Sequence, residues 1–356
     1  MVMGAARRVA HAVQRASDLK VRQPPALRTA DSVPGRPPTV YYLTPDNPRP
    51  SGGLRQIYRH VDLLNESGTA AAVLHHERGF RCDWFANSTR VESAADTVLT
   101  PADLLVVAEW YGPALGRLPA ELRKVIFNQN AYRTFDQQPF DSTPAGAPLA
   151  GVPNVLALLA VSEDNEEFLR YAFPHLPVGR ARVVVDTDLF FPGDRDEIPA
   201  RRVAYLPRRR RADAEQVLHL LRARGALTGW ELVPVDGVPE AHVAELLRGA
   251  PIFLSFSERE GFGLPPAEAM ASGAYVVGFT GLAGREFFDE MFSVPVPEDD
   301  VLAFAKRAEQ ALQTYDQDPA GVRAMGRLAY HHIRDRYSAD GLRDDLAAFY
   351  SRFLAG

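Results

Sequence analysis

The chain is 356 residues long, 46% hydrophobic and 24% charged, and its 40 basic and 45 acidic side chains leave a net charge of −5. That length favours two domains of ordinary size, and the slight acidity argues against nonspecific nucleic-acid binding. A single cysteine, Cys82, excludes an internal disulfide and suits a reducing cytoplasm, and no apolar run approaches the roughly 18 residues of a membrane span.

Taken in chain order, residues 1–38 read as a basic, proline-rich arm. The opening MVMGAARRVAHAVQRASDLKVR has arginines where a secretion signal needs its apolar core. As a basic helix it could touch an anionic membrane surface, although its Ala and Val stripe fits a frayed tail better. Residues 23–38, QPPALRTADSVPGRPP, read as a linker or mobile arm.

From residue 39 short apolar runs alternate with helical periods. TVYYL (39–43) reads as a buried strand, the turn SGG (51–53) follows, and LRQIYRHVDLLNES has apolar positions at 54, 57, 61 and 64. Strands are expected at 70–76, 103–110, 124–130 and 155–162, then in a second series at 203–207, 230–235, 251–256 and 275–279. Strands alternating with helices imply parallel sheets, and the charged, period-free stretch 183–202 divides two doubly wound domains, joined near 190–200. The assigned boundaries are 39–195 for the first domain, with a terminal helix 337–354 returning to it, and 196–336 for the second. Ligands of such sheets bind beyond the carboxyl ends of the strands.

SEREGFGLPPAEAMASG (257–273) lies at such an end, after PIFLSF. Gly261 and Gly263 permit positive φ and close approach of a ligand, and the Pro265–Pro266 step suits a first helical turn. The free N–H groups of that helix would favour an anion by roughly 0.3–2 kcal/mol. Glu268 could take the paired hydroxyls of one sugar and Glu260 those of another. The whole constellation outweighs the plain alternative, in which Glu268 only favours a helix start.

This stretch resembles the E-x7-E signature of retaining glycosyltransferases of family 4, the glycosyl transferases group 1. The resemblance implies the GT-B fold, an α/β architecture of two Rossmann-like doubly wound parallel-sheet domains facing across a cleft. It implies that Glu260 contacts the transferred sugar and Glu268 the ribose, with Gly261, Phe262, Gly263 and Leu264 presenting backbone to sugar and phosphate. In VAYLPRRRRADAEQVL, Arg208 matches the family's diphosphate arginine. The lysine expected a few residues on is absent, so Arg209 or Arg211 must substitute. A guanidinium suits phosphate oxygens bidentately, whereas an arginine run is otherwise a solvated face. Gly52 and Gly53 resemble the family's glycine loop near the donor phosphate. Glu286, in GFTGLAGREFF, falls in an element of altered spacing, where a buried cap or ion pair is as good a reading as a ligand.

Asp186-Thr187-Asp188 invites a metal reading, but it resembles the family's interdomain connection, and no metal is assigned. The first domain departs from the family in lacking a histidine in AEWYGP and FNQNAYRTF. Glu109, Asn128, Gln129 and Asn130 are the polar candidates there for holding the acceptor or the donor sugar, though amides cannot usefully take a proton.

The implied function is metal-independent transfer of a hexose-type unit, with retention, from a nucleoside-diphosphate sugar of UDP or GDP type to an acceptor hydroxyl. The acceptor would be a polysaccharide, a lipid-linked molecule or a natural product. No other cofactor and no nucleic-acid partner are expected, and the location implied is cytoplasmic, with peripheral membrane contact through the arm as an option. The alternatives are a nucleotide-sugar epimerase or hydrolase on the same fold, or a nucleotide-sugar-binding subunit without catalysis. A NAD-dependent dehydrogenase is disfavoured because the first glycine turn lacks G-x-G-x-x-G spacing.

Overall fold

The computed structural model describes residues 17–193 and 201–354. The membrane-touching helix expected at the start of the arm lies largely outside the described residues, as does most of the expected join at 190–200. The chain forms two compact units. Unit 1 takes the residues up to Val161, then Asn165–Ala181 and the segment from Arg343; unit 2 takes Ser162–Asp164 and Arg182–Leu342.

Unit 1 carries a seven-stranded sheet, all of whose pairings are parallel. Across it run β4 (Val91–Ser93), β3 (Ala71–His75), β2 (Val40–Leu43), β6 (Leu104–Ala108), β7 (Arg123–Asn128), β8 (Val155–Ala160) and β9 (Val178–Arg180). The inner strands are buried along their length, which is why they read as continuous apolar runs rather than alternations. After β2 comes α1 (Gly52–Glu66), capped by Ser51, whose hydroxyl accepts from Leu54 N. After β8 comes α2 (Glu163–Ala172).

Residues 23–38, expected to be a linker or mobile arm, are instead laid onto this unit. Within them β1 (Arg28–Thr29) pairs in parallel with β5 (Val98–Leu99). Arg36 fixes the end of the segment: it bonds the buried Asp103, reaches Val98 O at 2.5 Å and lies over the Tyr41 ring. A proline-rich stretch has few N–H groups for a ladder, so a side-chain anchor holds it. Before it, Arg22 is buried, stacks 4.3 Å above the Trp110 ring and pairs with Asp136 at 3.3 Å.

Unit 2 carries a five-stranded parallel sheet: β11 (Glu231–Pro234), β10 (Arg202–Tyr205), β12 (Ile252–Glu260), β13 (Tyr275–Leu282) and β14 (Ser293–Val296). Pro234 and Pro295 sit on the two edge strands, where a missing N–H is tolerated. Its helices are α3 (Arg211–Ala223), α4 (Glu240–Arg248), α5 (Leu264–Ala271), α6 (Val301–Gln317) and α7 (Pro319–Arg336). Its core joins Val203, Leu221, Ile252, Val277, Phe279 and Phe304.

The last helix, α8 (Ala339–Leu354), starts in unit 2 and continues in unit 1. There Phe349 fills the space beside the Cβ-less Gly179 of β9, and Tyr350 OH meets Tyr42 OH at 2.6 Å.

Candidate functional site

The carboxyl edge of the unit 2 sheet is built from the ends of β10, β12 and β13. SERE, beyond the strand expected at 251–256, is a continuation of β12, which runs to Glu260 through an irregularity between Ser257 and Glu260. This departure follows from two neighbours: Arg259 adopts φ 45°, and Gly281 on β13 leaves room for Glu260. A Cβ on Gly281 would lie 2.7 Å from Ser257 Cβ and 3.1 Å from Glu260 Cγ. The bulge re-aims the acid while keeping it on a strand.

Of the two glycines that follow, only Gly263 lies in the left-handed region, at φ 101°. Gly263 caps α5, and the two prolines stand at its first positions. Leu264 opens this eight-residue helix and Glu268 is half-buried on it. Phe262 is buried, its ring 5.0 Å from Phe287 and 4.8 Å from Tyr337, so any contact it offers is through backbone.

The four arginines after β10 separate into different roles. Arg209 aims its fork at Glu260, with Nε 3.2 Å from Oε1 and Nη2 3.3 Å from Oε2. Arg208 turns to Asp236 after β11, at 2.5 Å, with most of its side chain in solvent. Arg211 is exposed and pairs with Glu215 one turn on, at 2.8 Å. Exposed pairs of this kind are worth about 0–1 kcal/mol, so a phosphate could exchange for either partner. Arg210 is buried, and its bonds go to the protein rather than to solvent. Sequence reasoning did not separate it from its neighbours, because four identical letters carry no signal about which one turns inward.

Glu286 is not an open ligand. Its Oε2 accepts from Glu163 N at 2.7 Å, at the start of α2, and its Oε1 accepts from Tyr337 OH at 3.0 Å. Burial, reinforced by the Glu286 charge, holds the Tyr337 hydroxyl well above its ordinary pKa. Asp186 accepts from the N–H groups of Asp188 and Leu189 at 3.2 and 3.3 Å, as a turn cap does.

In unit 1, Gly52 and Gly53 open α1. The Gln129 side chain lies over Gly53: Nε2 donates to Gly53 O at 2.8 Å, and a Cβ on Gly53 would lie 2.8 Å from Gln129 Oε1. Glu109, just after β6, accepts from Gln129 N at 3.1 Å. Burial pushes its carboxyl up to about 7, against the lowering effects of the Gln129 N–H, Arg133 and Arg22. Asn130 caps the short helical turn 131–133 through Tyr132 N at 3.1 Å. Asn128 is buried and donates to Thr134 Oγ1 at 2.7 Å. The structure thus brings Gly53, Gln129 and Glu109 together, while Asn128 and Asn130 bond locally.

Residues 208–314 match the family described as glycosyl transferases group 1. Over 86 residues the chain is 36% identical to an alpha-1,6-glucosyltransferase of Actinobacillus pleuropneumoniae serotype 7 (strain AP76), a match covering 23% of this chain and 26% of that protein. The chain therefore spans about a quarter of the length of that curated relative. The fold is similar to that of sucrose-phosphate synthase from Thermosynechococcus elongatus, with TM-score 0.64, 15% identity, and coverage of 89% of this chain and 99% of that one. It is also similar to Anabaena HepE in complex with UDP and glucose, with TM-score 0.61, 12% identity, and coverage of 88% and 99%. Two Rossmann-like parallel-sheet units together with these likenesses give the GT-B fold.

Proposed function

We propose that the chain is a family 4 glycosyltransferase that moves a hexose-type unit from a nucleoside-diphosphate sugar, of UDP or GDP type, to an acceptor hydroxyl with retention and without a metal. The observation that carries this reading is the Arg209–Glu260 fork at the end of β12, beside the glycine-capped start of α5. An acid for sugar hydroxyls, a cation for phosphate and the Leu264 N–H that opens α5, ahead of two prolines without N–H, stand together at a sheet's carboxyl edge. The group 1 match over 208–314 and the UDP and glucose held by HepE support the same donor chemistry.

In this mechanism the bond from the anomeric carbon to the diphosphate oxygen breaks, and its electron pair leaves with the phosphate. The acceptor oxygen bonds to the anomeric carbon, and its proton passes to the departing phosphate. Charge on that phosphate grows towards the transition state. Arg208, Arg209 and the Leu264 N–H at the start of α5 therefore stabilise the transition state more than the bound donor, which lowers the barrier. Arg211, the first residue of α3, is assigned to the same anion. Glu260 grips the transferred sugar and Glu268 the ribose, with Gly261, Phe262, Gly263 and Leu264 offering backbone. Within unit 1, Gly52, Gly53, Glu109 and Gln129 are the proposed acceptor residues. The reaction belongs to the cytoplasm, and a lipid-linked acceptor would add peripheral contact with its membrane.

The test is a thermal-shift screen of the purified chain against UDP, GDP and their sugars, followed by product analysis with candidate acceptors. Stabilisation by one diphosphate is expected, and Glu260→Gln should lower turnover about 100-fold or more. Donor consumption without an acceptor would favour a hydrolase. Binding without turnover would favour a binding subunit, turnover unchanged in Glu260→Gln would remove Glu260 from the catalytic machinery, and no response to any nucleotide would overturn the reading.

A further inference from the structure

We propose that Arg210 is the positioning residue of this candidate donor site: it ties the ends of four strands together and so sets Arg209 against Glu260. The proposal rests on the donor-site reading above. Arg210 follows β10 and is only 8% exposed along its side chain. Its Nε donates to Ser257 O of β12 at 3.1 Å, at the residue where the β12 irregularity begins. Its Nη2 meets Glu298 Oε2 at 2.8 Å, and its Nη1 meets Asp299 and, at 3.4 Å, Asp213. Its guanidinium lies 4.7 Å above the Phe279 ring of β13.

Glu298 passes the tie onward. Its other oxygen accepts from Gly281 N at 2.9 Å and from Thr280 Oγ1 at 3.1 Å, both at the end of β13. Gly281 is the residue whose missing Cβ admits Glu260. One guanidinium therefore fixes the strand that carries Glu260, the glycine that makes room for it and the turn that presents Arg209. Burial works against the charge of Arg210, but its bonds to Asp299 and Glu298 outweigh that and raise its pKa.

Backbone geometry marks the same places. Four of the six non-glycine residues with positive φ among those described are Arg210 at 40°, Arg259 at 45°, Leu282 at 71° and Asp299 at 67°. Each stands at the end of one of these strands or just beyond it. Left-handed backbone away from glycine persists where the surroundings over-determine it. Arg210 bonds Asp299 directly, reaches Ser257 two residues before Arg259, and through Glu298 reaches Gly281 next to Leu282. A planar fork serves four acceptors in different directions, which the compact ammonium of lysine cannot reproduce.

The experiment compares Arg210→Lys, Arg210→Ala, Glu298→Gln and, as a matched loss of an exposed pair, Arg224→Gln. Amide exchange is followed over 257–261 and 280–282, and UDP or GDP affinity by calorimetry. Exchange should rise at least tenfold in both segments for Arg210→Lys, and less for Glu298→Gln, which keeps an acceptor for Gly281 N. Nucleotide affinity should fall about tenfold, and guanidinium at millimolar concentration should restore part of it to Arg210→Ala. Arg224→Gln should change neither. Exchange in both segments that stays at the wild-type rate in Arg210→Lys and Glu298→Gln would overturn the proposal. Failure of the wild type to bind any nucleotide would sink the donor reading instead, and the exchange result would still decide what Arg210 does.

Discussion

At Gly53 and Gly278 the same missing methyl has opposite consequences, and the identity of the nearest atom decides between them. A methyl on Gly53 meets the end of the Gln129 side chain, which can swing away at the cost of one hydrogen bond, about 0.5–1.5 kcal/mol. Alanine in a helix recovers about 0.5–1 kcal/mol, so Gly53→Ala should change stability by less than about 1 kcal/mol in a denaturant titration. On Gly278 the methyl would run into the Ser255 carbonyl oxygen, with φ at 138° as well. Neither the neighbouring backbone nor an L-residue can adapt there, and Gly278→Ala should cost about 3 kcal/mol or prevent folding. Glu109 offers a third test. Burial raises its folded pKa from 4.5 to about 7, so folding favours its protonated form. The contribution is full below about pH 4.5 and is lost as pH rises through about 7, a change of about 2–3 kcal/mol. Unfolding midpoints at pH 5 and pH 8 should converge in Glu109→Gln relative to the wild type.

Among the elements, α2 shows how a residue can matter by finishing a helix. Glu286 supplies an acceptor for Glu163 N, and it also satisfies the buried Tyr337 hydroxyl. Glu286→Ala should cost about 1–3 kcal/mol, read as a lower midpoint of thermal or denaturant unfolding. Glu286→Gln keeps one acceptor oxygen and should cost less. The altered spacing around Glu286 was visible in the sequence, but its partners, more than a hundred positions earlier and fifty later, were not. The inner strands were legible because burial on both sides makes each a continuous apolar run. Edge strands such as β1, β5 and β9 have two or three residues, too few for any period to emerge. The extension of β12 through Ser-Glu-Arg-Glu was hidden for another reason: its charged letters suggest a loop, and only the pairing with β13 makes it a strand.

For the whole molecule, legibility followed chemistry. The glycines, prolines and acids of 257–273 have few physical uses in that spacing, and the residues they mark gather at one sheet edge. Unit 1 had no such concentration of meaning. Its polar candidates proved to include a buried amide, Asn128, and a cap, Asn130, whose letters look the same as a ligand's. Each unit also has its own core. Binding of a nucleoside diphosphate should therefore slow amide exchange chiefly at the unit 2 edge, over 206–211, 257–265 and 280–283. Protection confined to unit 1 would contradict the donor assignment.

The return of α8 to unit 1 has a consequence for how the protein is made. Tyr350 and Phe349 of α8 cover a sheet whose strands were all synthesised before residue 181, whereas nearly all of unit 2 is one uninterrupted stretch, Arg182–Leu342. On the ribosome, the later-encoded unit can finish first, while the earlier one waits with an open seam at Gly179 until α8 emerges from the exit tunnel. A recombinant graft that trades donor specificity should respect the same nesting, exchanging the inner cassette and leaving both flanks from one parent.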